Sequence, residues 1–164
     1  MKQLRTRLIL ISLLFFNTIS SQVTISPEDF KILNNTSWEG TLTYLDYQSN
    51  ELVPVSTTMQ IKITEKEIEQ NIQYTWEPNK NVLAKTKIRK NGTYLGKQKV
   101  LAKTIREDGS LLLITSAEGK DDNKKAKLFF TYEFGTNYYK VTKEVQFEGS
   151  AERFLRNTYD YTIR

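Results

Sequence analysis

Residues 36–47 alternate between apolar and polar side chains, the pattern of a β-strand with one buried face. One face would carry Trp38, Gly40, Leu42 and Tyr44, and the other Glu39, Thr41 and Thr43. Because successive side chains of a strand point to opposite sides of the sheet, this order predicts a strand whose tryptophan lies in the core. We therefore predict that residues 36–47 form the first strand, around which the rest of the chain is organised.

Eight later segments repeat the alternation and are separated by short turn sequences. The predicted strands cover residues 55–64, 67–76, 82–89, 93–106, a segment beginning at 111, 128–134, 139–147 and 152–164. Asn91-Gly92 and Asp108-Gly109 are typical of tight hairpin turns. Trp76 ends the inward row of the third strand, and the charged run at residues 118–125 predicts an exposed loop.

A short helix precedes the first strand. Ser26 is a typical N-cap, Pro27 suits the first helical position, and Asp29 follows three residues after the cap. A helix over residues 26–34 in this position would cover one end of a barrel. Short hairpin connections favour up-and-down order, and pairing the last strand with the first removes exposed edges. We predict an all-β, up-and-down antiparallel barrel of about 8–10 strands with a short N-terminal helix.

This combination resembles the lipocalin-like, or calycin, β-barrels, and in particular small uncharacterised exported proteins of Gram-negative bacteria. The resemblance is carried by the helix, by Trp38 on the first strand, and by Arg156 in the last strand. It implies that Trp38 packs against an arginine near the C-terminus, for which Arg153, Arg156 and Arg164 are candidates and Arg156 is preferred. The chain lacks the Gly-X-Trp order of standard lipocalins.

The first 22 residues have the composition of a signal peptide. Lys2, Arg5 and Arg7 precede an apolar run at residues 8–16, which is far shorter than the ~20 residues of a membrane span. We expect cleavage next to Gln22, a single domain at residues 23–164, and a periplasmic or secreted product. An uncleaved N-terminal anchor is the alternative.

Removing this segment changes the charge. The segment carries three of the 24 basic residues and none of the 19 acidic ones, so 21 basic and 19 acidic residues remain, a net charge of +2. We therefore expect no nucleic-acid partner. We also expect no membrane span after cleavage, and a monomer.

The chain contains neither histidine nor cysteine, which excludes Ser-His, Cys-His and thiolate mechanisms and any histidine-ligated zinc or haem site. Asp121 and Asp122 lack the ligand spacing of a calcium loop, and lysines flank them. We predict no metal and no cofactor, and we assign no catalytic residue.

The remaining candidates are polar side chains on inward-facing positions of the predicted strands: Tyr44, Asp46, Gln70, Tyr74, Lys143 and Asn157. A buried lysine or carboxylate needs a partner, so Lys143 and Asp46 could form a ligand-orienting or catalytic pair. A structural ion pair, or a bulge that turns Lys143 outward, explains the same residues.

These sequence features leave three functions open. The first is an exported barrel that binds a small hydrophobic or amphipathic ligand, because the inward rows mix aromatic and polar side chains. The second is a cofactor-free isomerase, lyase or hydrolase that uses Asp46, Lys143 and tyrosines. The third is a filled barrel whose outer face binds another protein.

Overall fold

The computed structural model describes residues 22–65 and 67–164, which form ten β-strands around one interior. The strands are β1 (Thr36–Asp46), β2 (Glu51–Ile63), β3 (Glu67–Tyr74), β4 (Val82–Arg89), β5 (Tyr94–Leu95), β6 (Gln98–Ile105), β7 (Leu111–Asp121), β8 (Lys124–Phe134), β9 (Tyr138–Phe147) and β10 (Phe154–Ile163). Two 3₁₀ helices cover Pro27–Leu33 and Pro78–Lys80. Residues 1–21, which make up nearly all of the predicted signal peptide, lie outside this description.

Each strand pairs antiparallel with the next in sequence, and β10 pairs with β1, so the sheet closes. The predicted up-and-down barrel with a short N-terminal helix is therefore confirmed, and its arrangement is lipocalin-like. The predicted strand at residues 93–106 is divided into β5 and β6 because Gly96 adopts a left-handed conformation (φ +60°). A register shift between Val100 and Ala102 explains why this segment offers apolar side chains to both faces.

The closure between β1 and β10 depends on a glycine. The register runs from Trp38 opposite Ile163 to Tyr44 opposite Asn157. A Cβ atom at Gly40 would lie 2.0 Å from the carbonyl oxygen of Asp160 and 2.8 Å from the Cα atom of Tyr161. Only a residue without a side chain allows the last strand to approach this closely.

The 3₁₀ helix Pro27–Leu33 closes one end of the barrel, which we call the closed end. Phe30 and Leu33 are buried there together with Trp38, and the ring of Phe30 stacks on that of Phe134 at 5.6 Å. An ion pair between Asp29 and Lys103 (3.1 Å) holds the helix against β6. Trp38 is fully buried, and its indole N–H donates to Thr36 Oγ1 at 2.7 Å.

Two local predictions are wrong. Trp76 does not continue the inward row: β3 ends at Tyr74 and the indole is 82% exposed. The charged run at residues 118–125 is not a loop, because β7 extends to Asp121 and β8 begins at Lys124. Asp122 and Asn123 have φ values of +47° and +61° and form a tight turn of a kind that Asp and Asn tolerate.

The predicted partner of Trp38 is also different. The ring of Tyr139 lies 6.1 Å from the indole, and the backbone N–H of Arg164 donates to the carbonyl of the adjacent Ser37 at 2.9 Å. Arg156 lies towards the opposite end of β1, where its guanidinium donates to the carbonyl of Leu45. Arg156, the preferred candidate, therefore lies in another part of this barrel, whereas Arg164, another of the three candidates, lies next to Ser37.

The two tryptophans give a matched test of this packing. Trp38→Ala removes a fully buried indole and should lower the free energy of unfolding by about 3–5 kcal/mol. Trp76→Ala removes an exposed indole and should change it by less than about 0.5 kcal/mol. Urea titrations followed by circular dichroism measure both. Equal midpoints for the two variants would show that Trp38 does not organise the closed end.

Candidate functional site

A cavity of about 210 Å³ lies inside the barrel, between β2–β3 on one side and β8–β10 on the other. Its lining residues are Met59, Gln70, Ile72, Phe130, Tyr132, Tyr139, Val141, Lys143, Asn157, Tyr159 and Tyr161. A larger hollow, of about 400 Å³, lies outside the barrel among side chains such as Gln60, Lys62 and Asn71. Aromatic and aliphatic walls with few polar groups are typical of small-molecule sites, so we take the interior cavity as the candidate site.

Hydrogen bonds between side chains hold the tyrosines of the cavity in place. Gln70 Nε2 donates to the hydroxyl of Tyr139 at 3.0 Å, and the hydroxyls of Tyr74 and Tyr159 lie 2.8 Å apart. Thr57 Oγ1 donates to the hydroxyl of Tyr161 at 3.1 Å. Burial raises the pKa of Tyr161 to about 12 and raises the pKa of Tyr139 and of Tyr159 still further. These tyrosines are therefore neutral phenols at physiological pH.

Lys143 and Asn157 lie side by side on the cavity wall. They are directly opposite each other in the pairing of β9 with β10, and both line the cavity. On β9, alternation places Tyr139, Val141, Lys143 and Val145 on one face, and Tyr139 and Val145 are buried. The position of Lys143 therefore follows from the strand register rather than from a bulge.

The ammonium of Lys143 belongs to a group of four side chains, which we call the Asp121 cluster: Tyr47, Asp121, Lys143 and Arg156. One carboxylate oxygen of Asp121 accepts from the Tyr47 hydroxyl at 2.7 Å and from Arg156 Nε at 3.1 Å. The other accepts from Lys143 Nζ. Asp121 is only 8% exposed, so three donors compensate for the burial of its charge.

The Asp121 cluster brings together strands that are not neighbours in the sheet. Three strands, β8, β9 and β10, separate β7 from β1 in the barrel order. Nevertheless, Asp121 at the tip of the β7–β8 hairpin contacts Tyr47, which directly follows β1. The hairpin tip therefore reaches across the end of the barrel remote from the 3₁₀ helix.

A β-bulge directs Arg156 into the cluster. The register of β10 against β9 shifts between Leu155, opposite Glu144, and Asn157, opposite Lys143. Arg156 is the extra residue, and its guanidinium lies 4.4 Å from the centre of the Tyr47 ring, a cation–π contact. Without the bulge, simple alternation would send the side chains of residues 156 and 157 to opposite faces.

The cluster changes the acid–base properties of its members. Burial would raise the pKa of Asp121, but the hydrogen bonds from Lys143 and Tyr47 and the positive charge of Lys143 hold it below its usual value. Burial and the hydrogen bond to Asp121 raise the pKa of Tyr47. At neutral pH the cluster therefore contains two cations and one anion.

The structure brings four of the six predicted site residues to the cavity. Gln70, Lys143 and Asn157 line it, and Tyr74 bonds to its wall through Tyr159. The ring of Tyr44 lies beside Arg156, with its centre 6.0 Å from the guanidinium carbon. The remaining residue, Asp46, is not part of the cavity lining.

Asp46 does not pair with Lys143. Its carboxylate accepts from the backbone N–H of Gln48 and from the hydroxyl of Ser49, both at 3.0 Å. These hydrogen bonds lower the pKa of Asp46 and fix the turn between β1 and β2. Asp121, assigned to a loop from the sequence, is the partner of Lys143 instead.

Within residues 22–65 and 67–164, no group of three or more Asp or Glu side chains is placed to hold a metal ion. No helix in those ranges is long and apolar enough to cross a lipid bilayer.

Comparison with known proteins yields one distant structural similarity. No protein family matches the sequence, and no curated protein does. The S-type phycobiliprotein lyase CPES from Guillardia theta is similar with a TM-score of 0.45 and 15% identity, over 85% of this chain and 93% of that one. This similarity is too weak to support an argument, so the barrel assignment rests on the strand pairing and the candidate site on its own geometry.

The Asp121 cluster predicts a pH-dependent stability. Asp121→Asn leaves two cations with a neutral partner, and we expect it to lower the free energy of unfolding by about 1–3 kcal/mol at pH 7. Because the folded-state pKa of Asp121 is lowered, its contribution is complete above the unfolded value near 3.8 and is lost as pH falls through the folded value. Urea titrations of parent and variant between pH 7 and pH 2.5 should therefore converge at the acidic end.

Asp122→Asn is the matched control, because this neighbouring carboxylate is exposed and lies 3.4 Å from Lys124. We expect it to follow the parent at every pH. A difference between the parent and Asp121→Asn that stays constant with pH would contradict the assigned ion pairs.

Proposed function

We propose that this protein is an exported, lipocalin-like barrel that binds a small hydrophobic or amphipathic molecule in its interior cavity. The supporting observation is the cavity itself, about 210 Å³, with aromatic and aliphatic walls and three polar side chains, Gln70, Lys143 and Asn157, the last two side by side on its lining. Such a combination buries the apolar part of a ligand and fixes the position of its polar part.

The cavity volume limits the size of the ligand. Ligand pockets usually measure about 300–1,000 Å³, and an engineered apolar cavity of about 150 Å³ binds benzene. A cavity of about 210 Å³ lies between these cases and suits one ring with a short side chain. A long lipid chain or a tetrapyrrole would require the walls to move.

Catalysis is less well supported than binding. Asp46 is engaged in a turn rather than with Lys143. Both oxygens of Asp121 accept hydrogen bonds and its pKa is lowered, which makes the carboxylate a weak proton acceptor. The tyrosines of the cavity have raised pKa values and hold their protons. These features position groups but provide no general base.

Export is the second part of the proposal, and it rests on the sequence of residues 1–22. Expression of the full chain in a Gram-negative host should yield a product outside the cytoplasm whose N-terminus lies next to Gln22, as measured by intact mass. A cytoplasmic product that retains Met1 would contradict export without affecting the cavity.

A cavity-filling substitution tests ligand binding. Val141 lines the cavity, whereas its neighbour Thr142 points to the outer face of β9. Val141→Trp should occupy the ligand volume, at a stability cost of about 1–3 kcal/mol, and Thr142→Trp should leave the cavity free. Saturation-transfer NMR with 3-phenylpropan-1-ol, a neutral probe of suitable size, should give a signal for the parent and for Thr142→Trp but not for Val141→Trp.

Absence of a signal in the parent, together with no small molecule released from the purified protein on denaturation, would refute the proposed function. A signal that persists in Val141→Trp would show that the probe binds to another part of the protein.

A further inference from the structure

The polar part of the cavity lining has unused hydrogen-bond donors. Lys143 Nζ makes one hydrogen bond, to Asp121, although an ammonium has three donors. The side-chain amide of Asn157 has no hydrogen-bond partner among the described residues, yet it lies beside Lys143 on the cavity wall. Two adjacent donors therefore remain available to a molecule in the cavity.

The local charge at these donors is positive. Lys143 and Arg156 carry two positive charges, and Asp121 compensates for one of them. Both oxygens of Asp121 are already engaged by donors from the cluster. Asp46 is the other carboxylate near Arg156, but it is only partly buried and its carboxylate bonds within its own turn, to Gln48 and Ser49.

We propose that the ligand is a singly charged anionic amphiphile, a small aromatic or aliphatic carboxylate, whose carboxylate binds between Lys143 Nζ and the Asn157 amide. This proposal deepens the proposed function and rests on it. The apolar part of the ligand lies among Ile72, Val141 and Tyr159, which line the same cavity. Hydrogen bonds between charged partners are shorter and stronger than neutral ones, and the partly buried site screens them less than water does.

The same arrangement selects against other ligands. A cationic amphiphile would bring a second positive charge to Lys143, which already lies in a cluster with a net charge of +1. A neutral alcohol can accept from the same donors, but without the attraction between opposite charges. Asp121 keeps the cluster from carrying two uncompensated cations, and it orients Lys143 through a direct hydrogen bond.

Three probes that differ only in the terminal group test this proposal. Isothermal titration of the folded protein at pH 7 would compare 3-phenylpropionate, 3-phenylpropan-1-ol and 3-phenylpropylamine. We expect 3-phenylpropionate to bind at least about tenfold more tightly than the alcohol, and the amine to bind more weakly than the alcohol.

Two substitutions should remove the preference for the anion. Lys143→Met keeps a long apolar stem and removes the charge, so the Kd of 3-phenylpropionate should rise much more than that of the alcohol, and the two Kd values should become about equal. Asn157→Asp keeps the shape of the side chain and places a carboxylate where the ligand carboxylate would bind. This variant should raise the Kd of 3-phenylpropionate at least about tenfold. It also tests the anion proposal independently if Lys143→Met does not fold.

Lys140→Met is the matched control, because Lys140 lies on the outer face of the same strand and pairs with Asp160 across 3.7 Å. It should bind all three probes like the parent. Equal affinities for the three probes, or a preference for the amine, would overturn the anion proposal and leave small-molecule binding intact. An unchanged preference in Asn157→Asp would also overturn it. If the parent binds none of the three probes and releases no small molecule on denaturation, the proposed function fails as well.

Discussion

The pairing of β1 with β10 is the constraint on which the rest of this structure depends. It closes the sheet, so neither β1 nor β10 is left as an edge strand, and it requires Gly40 where the two strands approach closely. Closure also creates a shared interior. A polar atom that is fully buried there needs a hydrogen-bond partner, and no fully buried side-chain nitrogen or oxygen atom of the described residues lacks one.

The two ends of the barrel meet this requirement differently. At the closed end a 3₁₀ helix adds apolar side chains over Trp38, and the indole N–H donates to Thr36 close by in the chain. Towards the other end, the buried carboxylate of Asp121 receives donors from Tyr47, Lys143 and Arg156. This cluster joins β1, β9 and β10 to the β7–β8 hairpin. It also places the charges of Asp121 and Arg156 close to Lys143, which lines the cavity.

Alternation of side chains was sufficient to predict the barrel, since nearly every strand has a buried face and a short turn. It also predicted Gln70, Lys143 and Asn157 as cavity residues.

Alternation failed where the chain departs from the simple pattern. Arg156 occupies a bulge, and nothing in the local sequence marks it. Asp121 stands in a charged run that looks solvated, and its burial depends on partners 22 to 74 residues away. The pattern could not indicate that Asp46 turns towards its own loop rather than the cavity.

A crystal structure of the protein soaked with 3-phenylpropionate would show whether the barrel binds a ligand in its interior. We expect the phenyl ring in the interior cavity, against Val141 and Tyr159, with a carboxylate oxygen within about 3.2 Å of Lys143 Nζ. Asp121 should remain bonded to Tyr47 and Arg156. An interior filled by side chains, or a ligand bound only on the outside of the barrel, would contradict the claim that this fold encloses a binding site.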